Sequence, residues 1–335
     1  MKENHLSYEL ICDNVIDGLG QVKSKSVHSI ITSPPYYNLR DYEYGSQIGL
    51  EKTPEEYVER LVSVFSAAKN VLRDDGTVWL NVGDTYAFSK GNGYKKGDLL
   101  GVPWMLAFAL RKDGWFLKSD IIWAKPNPLP GGVTDRPVSS HEYLFLLSKS
   151  EDYFYDQEAI KESAVEKNKD GTFKKRIKRD VWTVPVASFK GAHFAVFPTK
   201  LVEPCILAST SEYGCCSECG APYIRQIHKK RYATRPGRHN KKDKTGFVNR
   251  DSGRHLTDTS TIGWKKSCSC NSDTVSSCVV MDLFCGSGTT GVVALRNRRK
   301  FIGIDGKQEY IDLANNRLIR EKQVFGISLI NIKVN

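Results

Sequence analysis

Apolar and polar positions along this chain alternate between two periods. Val27 to Thr32 is a short apolar run that stops at Ser33-Pro34-Pro35, which reads as a buried strand entering a rigid turn. From Pro54 to Leu72 the residues Tyr57, Leu61, Val64, Phe65, Ala68 and Leu72 recur at helical spacing behind a Thr53-Pro54 start signal. Asp75-Gly76 then turns into a strand over Thr77 to Val82. Leu99 to Arg111 reads as a helix, and Trp115 to Trp123 and Glu142 to Leu147 read as strands. Regularity lapses in the charged stretch from Lys161 to Arg179 and again from Gly214 to Asn271, where cysteines, basic residues and glycines mix. It returns as a strand over Val279 to Phe284, a helix over Gly291 to Asn297, a strand over Phe301 to Asp305 and a helix over Gln308 to Arg320. Val324 to Val334 alternates well enough to be expected as a closing strand. Such alternation predicts an α/β fold, a doubly wound sheet covered on both faces.

A chain of 335 residues, 40% apolar, can bury a sizeable core. No stretch approaches the roughly 18 uninterrupted apolar residues of a membrane span, and Met1-Lys2-Glu3-Asn4-His5 lacks the apolar run of a signal peptide. A soluble, cytoplasmic protein with no membrane partner is expected. Its formal charge of +11 is uneven: Arg225 to Arg254 carries eleven Lys or Arg against Asp243 and Asp251. A concentrated basic segment points to a polyanion, because neutralising phosphates releases counterions. The plainer alternative is a solvated loop. Of nine cysteines, five cluster at Cys215, Cys216, Cys219, Cys268 and Cys270, which suits a metal site in a reducing compartment better than disulfides.

Val279 to Gly291 is a strand, a glycine turn and a helix start. Gly286, Gly288 and Gly291 match a GxGxxG fingerprint, and Asp305 ends the next strand, where an acid can hold ribose hydroxyls. Only 44 residues follow Gly291, too few for the second half of a standard NAD domain, so this loop is expected to complete a sheet begun at the N-terminus. The turn Ser33-Pro34-Pro35-Tyr36 suits a different task. An exocyclic base amine is a poor nucleophile because its lone pair is delocalised into the ring. A serine hydroxyl and a proline-constrained carbonyl can accept its two hydrogens and aim the lone pair. Tyr36 offers a face on which a flipped base can stack.

With Ser33-Pro34-Pro35-Tyr36 near the N-terminus and Asp282-Leu283-Phe284-Cys285-Gly286-Ser287-Gly288 near the C-terminus, the chain resembles the DNA amino-methyltransferases of the β order, whose catalytic motif precedes the cofactor motif. Ile122-Trp123-Ala124-Lys125-Pro126-Asn127-Pro128, Asp135-Arg136-Pro137, His141-Glu142-Tyr143 and Ala192-His193-Phe194-Ala195-Val196-Phe197-Pro198 extend the likeness along most of the chain. The resemblance implies a Rossmann-like methyltransferase sheet in permuted order and S-adenosylmethionine as cofactor. It gives Ser33 and the Pro34 carbonyl the amine, with Pro35 stiffening the turn and Tyr36 on the base. The loop Phe284, Cys285, Gly286, Ser287, Gly288, Thr289 and Thr290 would wrap the methionine moiety, Asp305 would bind the ribose and Asp13 face the adenosine, with Asp282 a further cofactor-binding candidate. Phe197, Pro198 and Lys200 would close over the cofactor, with Lys200 at its carboxylate. Many adenine enzymes have Asp where this chain has Ser33, so N4 of cytosine is favoured over N6 of adenine.

Double-stranded DNA is the expected substrate, with Lys125, Asn127, Arg136 and His141, and Lys229, Lys230, Arg231, Arg235 and Arg238 of the basic segment, as candidate contacts. Whether a cognate restriction endonuclease exists, and whether the protein dimerises, stay open. Cys216-Ser217-Glu218-Cys219 is a CxxC knuckle, and Cys268-Ser269-Cys270 supplies a second pair; four thiolates would make a closed structural zinc site that displays the basic segment as a loop. Cys205 lies in an apolar helical pattern over Leu201 to Leu207, which argues against a C5 nucleophile. The rivals are a noncatalytic zinc-containing nucleic-acid-binding protein and a nicotinamide enzyme. The expected organisation is a catalytic half (1–160), a charged insert (161–190), a cofactor-closing segment (191–213), a cysteine-rich basic insert (214–271) and a cofactor half (272–335).

Overall fold

A computed structural model describes every residue except 1–5, 42–44, 46, 92, 129–133, 168–172, 187–196, 236–253, 326–332 and 335. The chain runs β1 (Tyr8–Cys12), α1 (Val15–Gly20), β2 (Val27–Thr32), α2 (Pro54–Val71), β3 (Leu72–Val82), α3 (Val102–Lys112), β4 (Phe116–Ala124) and β5 (His141–Ser148). A single 3-10 turn at Gln157–Ile160 precedes β6 (Glu162–Lys167), β7 (Phe173–Arg176), β8 (Val181–Thr183) and α4 (Thr199–Ser209). Then come β9 (Cys215–Cys216), β10 (Ile224–Arg235), β11 (Arg254–Lys265), β12 (Val275–Ser276), β13 (Val279–Asp282), α5 (Thr289–Arg296), β14 (Lys300–Asp305), α6 (Gln308–Phe325) and β15 (Lys333–Val334).

The main sheet has the order β15-β1-β14-β13-β2-β3-β5-β4-β8, and β5 alone runs antiparallel to its neighbours. β2 reads as an unbroken apolar run because both its faces are covered: Ile30 packs with α2 and α3 on one side and Ile31 with α4 and α5 on the other. Helices α1 to α3 thus cover one face and α4 to α6 the other, the doubly wound arrangement expected. α2 starts where its signal predicts, with Thr53 Oγ1 accepting the Glu56 amide at 3.1 Å. Among the described residues no helix is long and apolar enough to cross a membrane.

Four expectations need correction. β1 lies between β14 and β15, so the two halves of the sheet interleave, and the N-terminal strand belongs to the cofactor side. The charged segment 161–190 is not wholly an insert. It ends in edge strand β8, and Glu162 gathers Arg176 (2.8 Å), Arg179 (3.4 Å) and Lys178 (3.9 Å) within it. Helix α6 continues to Phe325, past Val324 where alternation suggests that a strand begins, and among the described residues Lys333 and Val334 pair with β1. Finally, the basic segment is not a simple loop: β10 and β11 form an antiparallel two-stranded ribbon from Ile224↔Lys265 to Arg235↔Arg254. At about 3.4 Å per residue, twelve residues reach about 40 Å. Arg225 anchors its base on Asp156 (2.9 Å) and Glu212 (2.6 Å).

Candidate active site and cysteine cluster

The parallel strands β1, β2, β13 and β14 all deliver their following loops to one end of the sheet, where they enclose a cavity of about 440 Å³. Of the residues singled out from the sequence, Asp13, Ser33, Pro34, Pro35, Tyr36, Lys125, Phe197, Phe284, Cys285, Gly286, Ser287, Thr289 and Asp305 line it together. The catalytic turn and the glycine loop, near opposite ends of the sequence, are therefore one site.

The glycine loop is held from behind. Asp305 accepts the Gly286 amide at 2.8 Å and the Lys307 amide at 3.1 Å, and Asp13 N–H donates to the Asp305 carbonyl at 3.0 Å. Burial pushes the Asp305 carboxyl up, and those amides oppose it. Gly286 has φ +50°, and a Cβ there would meet nothing within 4 Å, so the loop turns its bare backbone outward at the cavity wall. Arg317 of α6, which carries no sequence signal, donates to the Ser287 carbonyl (3.2 Å), Ser287 Oγ (3.0 Å) and Thr289 Oγ1 (2.9 Å). Asp13 accepts from the Asn14 amide (2.8 Å) and Gln21 Nε2 (2.9 Å), while the cap of α1 is Asn14.

Asp282 and Thr290 do not line the cavity. Asp282 is buried, and its carboxylate accepts hydroxyls from Thr32 and Thr290, each at 2.7 Å, pinning β2 to β13 just below the catalytic turn. Burial pushes this carboxyl up to about 7. The folded chain thus keeps a proton that the unfolded chain, with an ordinary carboxyl near about 4, releases. That contribution to stability is present below about pH 4 and is lost as pH rises through about 7, at about 1.4 kcal/mol per unit. Asp282→Asn is expected to flatten this part of the pH dependence of urea unfolding; an unchanged slope rejects the assignment. Gly288 also lies outside the cavity lining, as the left-handed N-cap of α5, and so do Pro198 and Lys200. Lys200 is exposed in the first turn of α4. Ala192 to Val196 of the neighbouring motif lie outside the described residues.

The catalytic turn is braced at two points. Tyr57, wholly buried in α2, donates its hydroxyl to the Pro35 carbonyl at 2.8 Å, and Pro34 beside it lines the cavity. Tyr36 donates its hydroxyl to Glu142 Oε2 at 2.6 Å, and its ring fits because residue 83 is Gly: a Cβ there would lie 2.7 Å from the ring. Lys125 is a wall residue whose ammonium pairs with Glu142 and sits 4.5 Å from the Trp123 ring centroid. Asn127 clamps the Val186 backbone, accepting its N–H at 2.9 Å. Arg136 pairs with Asp135 (3.1 Å) and stacks on Tyr86 (4.2 Å), and His141 lies exposed against Tyr143. The cavity brings in neither Arg136 nor His141.

The cysteines assemble at the opposite end of the sheet. The sulfurs of Cys216, Cys219, Cys268 and Cys270 all lie within 4.8 Å of one another. Arg73, near the start of β3, donates to the Cys219 carbonyl at 2.7 Å, and His28, near the start of β2, bonds the Gly220 carbonyl at 2.8 Å. The ribbon leaves this cluster with Lys229 and Lys230 exposed on β10; Arg231 and Arg235 are in the same strand, and Arg238 lies outside the described residues.

A family model described as DNA methylase, of the N6/N4 type, matches residues 27–216 and 266–316, so the match skips most of the cysteine-rich insert. The chain is 41% identical to the type II methyltransferase M.Cfr9I of Citrobacter freundii over 321 residues, covering 90% of this chain and 84% of that one. It is 35% identical to M.SmaI of Serratia marcescens, covering 96% and 94%. Among solved structures, the fold is shared with the PvuII DNA methyltransferase (cytosine-N4-specific) at TM-score 0.60 and 18% identity, covering 98% of this chain and 96% of that one. It is also shared with a putative DNA modification methylase from Thermus thermophilus, complexed with S-adenosyl-L-methionine, at TM-score 0.54 and 18% identity, covering 98% and 99%. With the catalytic turn and the glycine loop on one cavity, the chain belongs to the N6/N4 DNA methylase family and is an S-adenosylmethionine-dependent DNA amino-methyltransferase.

Proposed function

We propose that this enzyme methylates N4 of a cytosine swung out of double-stranded DNA at a specific sequence, and the observation that carries the choice of base is Ser33 at the catalytic turn. Ser33 Oγ and the Pro34 carbonyl accept the two amino hydrogens, drawing the nitrogen towards tetrahedral geometry with its lone pair aimed across the cavity. Both prolines fix the turn, and the Tyr57 bond to Pro35 prevents it from rotating. S-adenosylmethionine supplies an electrophilic methyl group on a sulfonium. The residues present fit it: Phe284, Gly286, Ser287, Thr289, Phe197, Asp13 and Asp305 all line the cavity, and the bare backbone at Gly286 leaves room for close approach; Phe284, Ser287, Thr289 and Phe197 would hold the methionine end, and Asp13 and Asp305 the nucleoside.

The ribbon is the DNA-contacting arm in this reading, since a two-stranded ribbon fits the major groove and Lys229, Lys230, Arg231, Arg235 and Arg238 would supply phosphate contacts. A structural zinc held by Cys216, Cys219, Cys268 and Cys270 fixes its base. Amides of Cys219 and Glu218 bring the Cys216 thiol down to about 7, whereas hydrogen bonding with Cys219 holds Cys270 up at about 12; a divalent cation lets all four be thiolates. The type II designation of the Citrobacter and Serratia relatives makes a cognate restriction endonuclease the expected partner. Nucleoside mass spectrometry of DNA incubated with protein and cofactor is expected to show N4-methylcytosine. Finding N6-methyladenine alone overturns the choice of base.

A further inference from the structure

We infer that Glu142, acting through Tyr36, takes up the proton expelled from the amine once it is methylated. This rests on the reading that Ser33 holds the amine. An amine that has gained a methyl carries one hydrogen too many, so an N–H bond must break. An aspartate at the turn would keep that proton itself. A serine hydroxyl cannot, because a protonated hydroxyl is a far stronger acid than a carboxylic acid. The chain supplies the missing carboxylate two hydrogen bonds away. Ser33 Oγ donates to Tyr36 Oη at 3.4 Å, and Tyr36 Oη donates to Glu142 Oε2 at 2.6 Å.

The transfer balances without any other reactant. The amine hydrogen passes to Ser33 Oγ as the Ser33 hydrogen passes to Tyr36 Oη and the Tyr36 hydrogen to Glu142 Oε2. The amine ends neutral, both hydroxyls are restored, and Glu142 is a neutral acid. The 3.4 Å step is the long one, and it is expected to tighten when the amine presses on Ser33. Glu142 is held in position for this: Lys125 pairs with Oε1, and Asn81 Nδ2 donates to Oε2 at 3.0 Å while bonding the Tyr143 carbonyl at 3.1 Å. The phenol has one further contact, with Asn81 Oδ1 at 3.3 Å. Burial holds the Tyr36 phenol well above its usual range, so it passes a proton on rather than ionising. Glu142 itself lines the cavity, from which water can later take the proton.

Strand pairing puts the parts in register. Glu142 lies opposite Trp123 in the β4–β5 pair, one residue before the strand end that presents Lys125, and β3 carries Asn81 across from Leu144. Glu142 does not touch the base in this arrangement; it is a positioning residue and remote acceptor.

The test uses single-turnover methyl transfer on DNA, with calorimetry of cofactor binding on every variant. Glu142→Gln is expected to slow transfer about 100-fold, in the range of general acid–base catalysis, with cofactor affinity and the KM for DNA within about twofold of wild type. Tyr36→Phe keeps the ring and the Lys125–Glu142 pair but breaks the relay, and should lose as much; combining the two should cost little more. The deciding variant adds Ser33→Asp to Glu142→Gln, which puts a carboxylate directly at the amine and should recover at least about tenfold of the loss. Wild-type rates in either single variant, or no recovery on adding Ser33→Asp while cofactor still binds, overturn the relay. If Glu142→Gln does not fold, Tyr36→Phe alone decides. Full activity of Ser33→Ala would instead defeat the underlying assignment of Ser33.

Discussion

Alanine at position 33 is expected to reduce methyl transfer by about 100- to 1,000-fold, the range seen when one preorganised hydrogen-bonding group is removed from a transition state, while leaving cofactor affinity within about twofold. The size follows from the amine's chemistry. Its lone pair becomes available only when the hydrogens are drawn out of the ring plane, and with Ser33 gone a single acceptor, the Pro34 carbonyl, is left for two hydrogens. The relay also loses its first member, since Ser33 Oγ is the group that would pass the amine's proton to Tyr36 Oη. Selectivity for rate over binding follows from the fold. The glycine loop is positioned by Asp305, Asp13 and Arg317, none of which contacts the Ser33 side chain. Single-turnover transfer of labelled methyl groups, set beside calorimetric titration with S-adenosylmethionine, measures both. A variant that keeps more than about a tenth of the wild-type rate removes Ser33 from the mechanism, and one that no longer binds cofactor shows a folding defect instead.

The elements legible in the sequence are those whose burial is decided locally. β2 is buried on both faces and therefore reads as an apolar block, and α2 carries both its cap and its stripe. The ribbon was not legible as strands. Both β10 and β11 are polar along most of their length, and what orders them is pairing across the insert together with anchors such as Arg225 on Asp156 and Thr259 on Glu158 (2.6 Å), about a hundred or fewer residues away. The same distinction divides the site. Ser33, Gly286 and Asp305 announce themselves through turns and strand ends. Arg317 acts across 28 to 30 residues on a helix face, and nothing in its neighbourhood marks it. Glu142 is visible in the sequence only as the middle of His141-Glu142-Tyr143; its relation to Tyr36 needs the register of three strands. Asp282 illustrates the opposite error: lying within a glycine-loop motif suggests contact with the cofactor, yet the side chain turns inward to two threonines.

Removing the metal should separate DNA binding from cofactor binding. Purified protein is expected to hold about one zinc per chain, and Cys219→Ser, or exhaustive chelation, to abolish specific DNA binding while cofactor affinity stays within a few-fold. Structural zinc in small sites is worth on the order of 10 kcal/mol, more than the scattered ties that also hold the ribbon, among them the two residue pairs of β9 with β12, the Arg225 ion pairs and the Thr259 bond to Glu158. The cluster faces away from the cavity: its contacts are with the beginnings of β2 and β3, whereas Ser33 follows the end of β2, six residues or about 20 Å further on. A collapsed knuckle therefore reaches the ribbon before the cofactor loop. Cys215 supplies the control. It packs with Cys278 and His28, but His28 Nδ1 accepts the Val279 amide at 3.0 Å and Nε2 bonds the Gly220 carbonyl, so this buried trio has no imidazole nitrogen left for a metal. Cys215→Ser should keep the zinc, measured by plasma mass spectrometry, and Cys219→Ser should not. DNA affinity measured by fluorescence anisotropy should follow the metal, and a Cys219→Ser protein that binds DNA as wild type does would detach the ribbon from the zinc.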